Sequence, residues 1–134
     1  MKTIFPLLLI TALFNNTALQ AKPPKPLVSA EARQQAAASY LKDNPGHLAI
    51  YAKGFVCSSC GIGLRVHLSK ISSIDKKQFK KGVLMDASKQ LLIVAFLPET
   101  IPDMAAIAEA INNAGYDPAH YYIWDQGSIK VEPF

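Results

Sequence analysis

The chain has 134 residues, half of them hydrophobic, with 14 basic and 10 acidic side chains and a formal net charge of +4. That length suits one domain with a single core. So mild a positive balance gives no argument for nucleic acid, and beyond the N-terminus no segment comes near the roughly 20 apolar residues that a membrane helix needs.

Lys2, the apolar run from Ile4 to Phe14, the polar Asn15-Asn16-Thr17 and the small Ala18 and Ala21 read as a secretory signal peptide over residues 1–21, cut after Ala21. The product is then expected to be periplasmic or secreted. Lys22 to Pro26 is proline-rich, an extended tether. Ser29 to Asp43 reads as a helix: Ser29 caps it, Glu31 lies in its first turn, and Asn44-Pro45-Gly46 stops it. Its apolar face consists of Ala32, Ala36 and Tyr40 beside Ala37 and Leu41, and tether and helix together fill residues 22–46.

His47 to Lys53 alternates, with Leu48, Ile50 and Ala52 on one side, and predicts the first strand. Leu64, Leu68 and Ile71 continue from Cys60 at helical spacing, so a helix is expected to begin at the second cysteine. Lys76, Lys77, Lys80 and Lys81 follow as a cluster that suits a solvated loop or, more sharply, a docking patch for an acidic partner. Gly82 to Asp86 and Gln90 to Phe96 predict a hairpin across Ala87-Ser88-Lys89. Pro102 opens a further helix with Asp103 in its first turn and Met104, Ile107, Ala108 and Ile111 as its stripe. Gly115 suits the left-handed position that ends it. Tyr121 to Trp124 supplies a short last strand, and residues 127–134 remain as a C-terminal tail.

From 47 to 126 the order is β-α-β-β-α-β. This predicts an α+β, ferredoxin-like sandwich: a four-stranded antiparallel sheet with the first strand between the third and fourth, two helices on one face, and an extra N-terminal helix. Leu91 to Phe96 is apolar on both faces, so the extra helix is expected to cover the side that the two core helices leave open. The cysteine loop, the hairpin tip and the Gly115-Tyr116 turn should gather at one end.

The only two cysteines stand three apart in Gly54-Phe55-Val56-Cys57-Ser58-Ser59-Cys60. A disulfide between them closes so short a loop that it restrains little of the unfolded chain, so metal binding or redox chemistry explains the pair better than a structural bridge. A cysteine at a helix N-terminus favours the thiolate, the form that binds metal. Two thiolates with no His, Asp or Glu beside them suit a soft ion of low coordination number, Cu(I) or Hg(II), ahead of zinc, which ordinarily takes four ligands. His67 falls about 10 Å along the helix from Cys60, out of ligand range. His47 and His120 fall at strand starts, where they could meet across neighbouring strands, and Met85 and Met104 read as core residues.

These motifs together resemble the heavy-metal-associated domain of copper chaperones, metal-transporting ATPases and periplasmic mercuric-ion-binding proteins. The resemblance is carried by Gly54 to Cys60, the Leu64/Leu68/Ile71 stripe, the hairpin, and Ile111-Asn112-Asn113-Ala114-Gly115-Tyr116. It implies that Cys57 and Cys60 ligate one metal ion, with Tyr116 nearby, and that Phe55 fills the apolar hole under the loop where the family usually carries methionine. It further implies a monomer when metal-free, a partner that is a metal-transporting membrane protein or another metal-binding domain, and no enzymatic reaction. A thiol-disulfide oxidoreductase is the alternative from another class. Its fold requires a cis-proline leading into a strand, whereas Pro102 leads into a helix.

Overall fold

The computed structural model describes residues 28–134. The expected signal segment 1–21 and the tether 22–26 lie outside the described residues. In chain order the elements are α1 (Ala30–Asp43), β1 (Leu48–Lys53), α2 (Ile62–Leu68), β2 (Val83–Asp86), β3 (Leu91–Val94), α3 (Met104–Asn113), β4 (Asp117–Asp125) and β5 (Ser128–Pro133).

Local chemistry accounts for most of the boundaries. Ser29 Oγ accepts a hydrogen bond from the Ala32 amide at 3.1 Å, satisfying one of the donors that the first turn of α1 leaves open. Asp103 does the same for α3, accepting from the Ala106 amide at 3.1 Å, so it is the cap and not a first-turn residue. At the other end of α3 the Tyr116 amide reaches back to the Ile111 carbonyl at 3.1 Å while Gly115 adopts φ +88°, a left-handed termination that a Cβ would disfavour.

The strands form one antiparallel sheet in the order β2-β3-β1-β4-β5. β1 therefore lies between β3 and β4, with Ile50 opposite Leu92 on one side and Tyr121 on the other. Five strands replace the four read from the sequence. The stretch 127–134 is no tail: after a turn in which Gln126 and Gly127 both take positive φ, Ser128–Pro133 pairs with β4 from Asp125 back to His120. Positive φ at both central residues is the geometry a two-residue hairpin loop favours. β4 is correspondingly nine residues long, more than twice the Tyr121 to Trp124 expected.

Period-two alternation sends each strand's side chains into two separate cores. Leu48, Ile50, Ala52, Leu92 and Val94 face α2 and α3, joined by Leu64, Leu68, Ile107 and Ile111. Ala49, Leu91, Ile93 and Tyr122 face the opposite way and pack under α1. Ile93 is 1% exposed, so α1 does cover the second face. Each such side chain contributes on the order of 1.5–3 kcal/mol by leaving water. The register of α1 differs from the one read in the sequence. Arg33, Ala37 and Leu41, spaced by four, are its buried residues, with Ala36 and Tyr40 at the margin.

Arg33 is thus a buried guanidinium on an apolar interface. It stacks 3.5 Å from the centroid of the Tyr51 ring and donates from Nη2 to the Val28 carbonyl at 3.0 Å and to Gln90 Oε1 at 3.2 Å. A face-on guanidinium is attracted by the ring quadrupole, and more strongly once both are desolvated.

Candidate metal centre at the Cys57–Cys60 loop

The strand registers sort the loops into two poles. Lys53, Asp117, Leu91 and Asp86 stand at one end of the sheet, and Leu48, Val94 and Val83 at the other. The cysteine loop leaves β1 at the first end, where the hairpin turn 87–90 and the Gly115-Tyr116 turn also emerge. All three loops emerge at this one end, as the topology implied.

Three contacts shape the cysteine loop. The Phe55 side chain is fully buried beneath it and meets Tyr116 edge-on, ring centroids 6.4 Å apart. The Tyr116 hydroxyl donates to the Cys60 carbonyl at 2.7 Å. Gly61 closes the loop over the core: a Cβ there would stand 2.6 Å from Phe55 Cε2 and 2.8 Å from Met85 Sδ, so only glycine lets the chain pass. Met85 was read in the sequence as a core residue, and it does pack on the core. It also supports the turn next to Cys60, a role without a signal of its own, because strand alternation does not tell which neighbour a side chain touches.

Cys57 and Cys60 are joined by a disulfide, with Cα atoms 5.3 Å apart. The helix does not begin at Cys60. Residues 58–61 form turns, Gly61 is the cap, and α2 starts at Ile62. Cys60 precedes the cap and gains less from the helix N-terminus than the sequence suggested. The backbone donor at the site serves the other sulfur: the Cys60 amide points at Cys57 Sγ from 3.2 Å, and Ser59 Oγ lies 3.6 Å from the same atom.

The loop opens to solvent, with Val56 62% and Ile62 57% exposed on either side of the cysteines. Lys53 and Asp117 form an ion pair of 3.4 Å at its base, both well exposed, which contributes little. The two sulfurs are the donors the loop itself offers. Among the described residues no group of three or more His, Cys, Asp or Glu converges as a metal cluster.

The other candidates lie elsewhere. His67 is on α2, beyond the loop. His47 and His120 are not brought together. His120 sits opposite Tyr51 in the register, with Nε2 2.9 Å from the Tyr122 hydroxyl, whereas His47 precedes β1 and meets Phe79 edge-on. Four residues of strand separate the two positions, about 13 Å along the sheet. Met104 packs against the α2/α3 core.

Among the described residues no helix is long and apolar enough to cross a membrane. Comparison of the chain with known protein families, with curated proteins and with solved structures gives no match.

Proposed function

We propose that this protein carries one soft metal ion, Cu(I) or Hg(II), between Cys57 and Cys60 and hands it to a partner by ligand exchange. The observation that carries the reading is the exposed loop in which two sulfurs stand three residues apart, the Cys60 amide aimed at Cys57 Sγ, held at the sheet end by Phe55, Gly61 and Tyr116. The order β1-α2-β2-β3-α3-β4, with β1 between β3 and β4, supports a ferredoxin-like core of the heavy-metal-associated kind, enlarged by α1 and β5.

The disulfide is the resting, oxidised form on this reading. Two electrons and two protons from a dithiol convert it to two thiols, and the incoming ion displaces both protons. A partner thiolate then attacks the two-coordinate ion, a three-coordinate intermediate forms, and one original cysteine leaves. Low coordination leaves space for that attack, and the exposed flanks Val56 and Ile62 give the partner a surface to meet. The partner is a metal-transporting membrane protein or another metal-binding domain, and the chain works as an exported, metal-free monomer before loading.

The test is an anaerobic titration of the reduced protein with Cu(I) against a competing chelator. One ion should bind tightly, Cys57→Ser and Cys60→Ser should each abolish tight binding, and His67→Ala should leave it unchanged. The disulfide itself favours a second reading, a thiol-disulfide oxidoreductase using the same pair. Catalytic turnover of a model disulfide by protein that ignores Cu(I) would establish that reading in place of the first.

A further inference from the structure

The pole opposite the cysteines carries a different chemistry. Between α2 and β2 the chain makes a tight excursion in which Ser73 accepts from the Leu97 amide, Asp75 donates its amide to the Ala95 carbonyl, and Gly82 closes back on the Gln78 carbonyl at 2.8 Å. Its tip reads Lys76-Lys77-Gln78-Phe79-Lys80-Lys81. All four lysines are exposed, and among the described residues none of them enters an ion pair. The acid within the segment, Asp75, is turned inward, its oxygens accepting from the Lys77 amide and from Gln78 Nε2 at 3.1 Å each.

Phe79 stands between the lysine pairs, 43% exposed and with φ +51°, a backbone conformation that an aromatic residue adopts only where its surroundings hold it. Next to Phe79 in sequence, Gln78 lines a cleft of about 480 Å³ with Leu97, Thr100 and Pro102; Leu97 is 40% exposed, and Ile101, between Thr100 and Pro102, is 90% exposed. The acid on that wall is Glu99. Apolar tips interleaved with clustered lysines are the composition of a surface that lies in a lipid headgroup layer, where cations meet phosphates and apolar groups meet the upper acyl chains.

We propose that this pole docks on a membrane rich in anionic phospholipid, Lys76, Lys77, Lys80 and Lys81 meeting headgroup phosphates while Phe79, Leu97 and Ile101 enter the interface. An acidic polypeptide would satisfy the lysines but gives no reason for three partly to fully exposed apolar side chains on the two loops of this pole. β1, six residues at about 3.3 Å each, then holds the cysteine loop about 20 Å clear of the lipid. This docking stands apart from the metal reading, and neither requires the other.

The experiment is co-sedimentation of the full chain with vesicles of equimolar phosphatidylglycerol and phosphatidylcholine, and with phosphatidylcholine alone. Each lysine near an anionic surface raises partitioning roughly fivefold. Changing all four to glutamine should therefore lower binding to the anionic vesicles by about a hundredfold or more, and raising salt from about 50 mM to 0.5 M should release the native chain. Phe79→Ser, with unchanged Tm, should weaken binding several-fold, and a Phe79→Trp side chain should be quenched by brominated lipid. Equal binding to both vesicle types, or binding that survives the four substitutions, would assign any attachment to the N-terminal apolar segment and overturn the proposal. Retention on polyglutamate with no binding to anionic vesicles would overturn it in favour of an acidic protein partner.

Discussion

The hydroxyl of Tyr116 donates to the carbonyl of Cys60 across 56 residues of sequence, at 2.7 Å. One bond thereby ties the turn after α3 to the loop that carries both sulfurs. Tyr116→Phe removes the donor and keeps the ring against Phe55. The bond is exposed, so the loss of stability should be about 0.5–1.5 kcal/mol in urea unfolding. The sharper effect falls on the loop: alkylation of the reduced cysteines should speed up in the variant, followed by mass spectrometry at matched pH.

Gly61→Ala should be costly for its size. The added methyl meets Phe55 and Met85 inside the distance any real Cβ keeps, and overpacking of this kind costs about 1–3 kcal/mol. Combining it with Phe55→Leu should recover part of the loss, because the shorter side chain vacates the clash. A double variant that is merely the sum of the singles in denaturant unfolding would show that the strain lies in the backbone instead.

Arg33 gives a contrast between two truncations. Arg33→Ala deletes the stem that packs against the sheet, the contact with Tyr51 and the partner of Gln90, and should cost roughly 2 kcal/mol or more. Arg33→Met keeps most of the volume and removes a buried charge for which the described residues supply no carboxylate within bonding distance. It should therefore cost clearly less than Arg33→Ala, the remaining loss coming from the unpaired Gln90 Oε1. Equilibrium unfolding of both variants with and without Tyr51→Leu checks the assignment.

Two histidines make stability depend on pH below neutrality. Burial holds His47 below the ordinary histidine value of 6.5, against weaker opposition from Gln78 and Asp75. Burial also lowers His120, helped by the positive charges of Arg33 and Lys53. With the folded pKa below the unfolded one, the unfolded state binds more protons in the window between them. The stability that neutral histidine contributes is therefore complete above about pH 6.5 and is lost as the pH falls through the folded values. His120→Gln should flatten the decline between pH 7 and pH 5 measured by urea unfolding. A variant as pH-sensitive as the native chain would remove His120 from the account.

The Cys57–Cys60 disulfide should reopen with glutathione-range reductants, because so short a loop constrains the unfolded chain little. Cu(I) or Hg(II) should slow re-oxidation in air, since a ligand that binds one state alone stabilises it. Thiol alkylation with and without metal reads both effects, and a bridge that resists strong dithiols in the native protein would mark it as structural.

Much of this architecture was legible because its signals are short-range. The Ser29 cap, the Gly115 termination and the alternation of His47 to Lys53 each act within a few residues, and the two-faced apolar pattern of β3 called for a cover that α1 provides. What escaped depends on partners distant in sequence. Arg33 reads as a polar residue on a helix of alanines until Tyr51 and Gln90 surround it. The start of α2 differs by two residues because the apolar stripe runs on from Cys60, whereas residues 58–61 form turns in which Gly61 passes over Phe55 and Met85. β5 lacks an Asn-Gly or Asp-Gly turn, and only Ile129 and Val131 alternate in it, so its pairing with β4 is a property of the sheet and not of the segment.

That fifth strand has a consequence for the company the molecule keeps. Without it β4, nine residues long, would present a row of free amide and carbonyl groups, the template on which one chain adds to another and fibrils begin. β5 takes up that row and offers in its place a border that carries Lys130 and Glu132 and ends at Pro133, which has no amide hydrogen to give. At the opposite border β2 is only four residues long, too brief to recruit a neighbour over much length. Both rims of the sheet are thus poor templates for edge-to-edge pairing with a second copy.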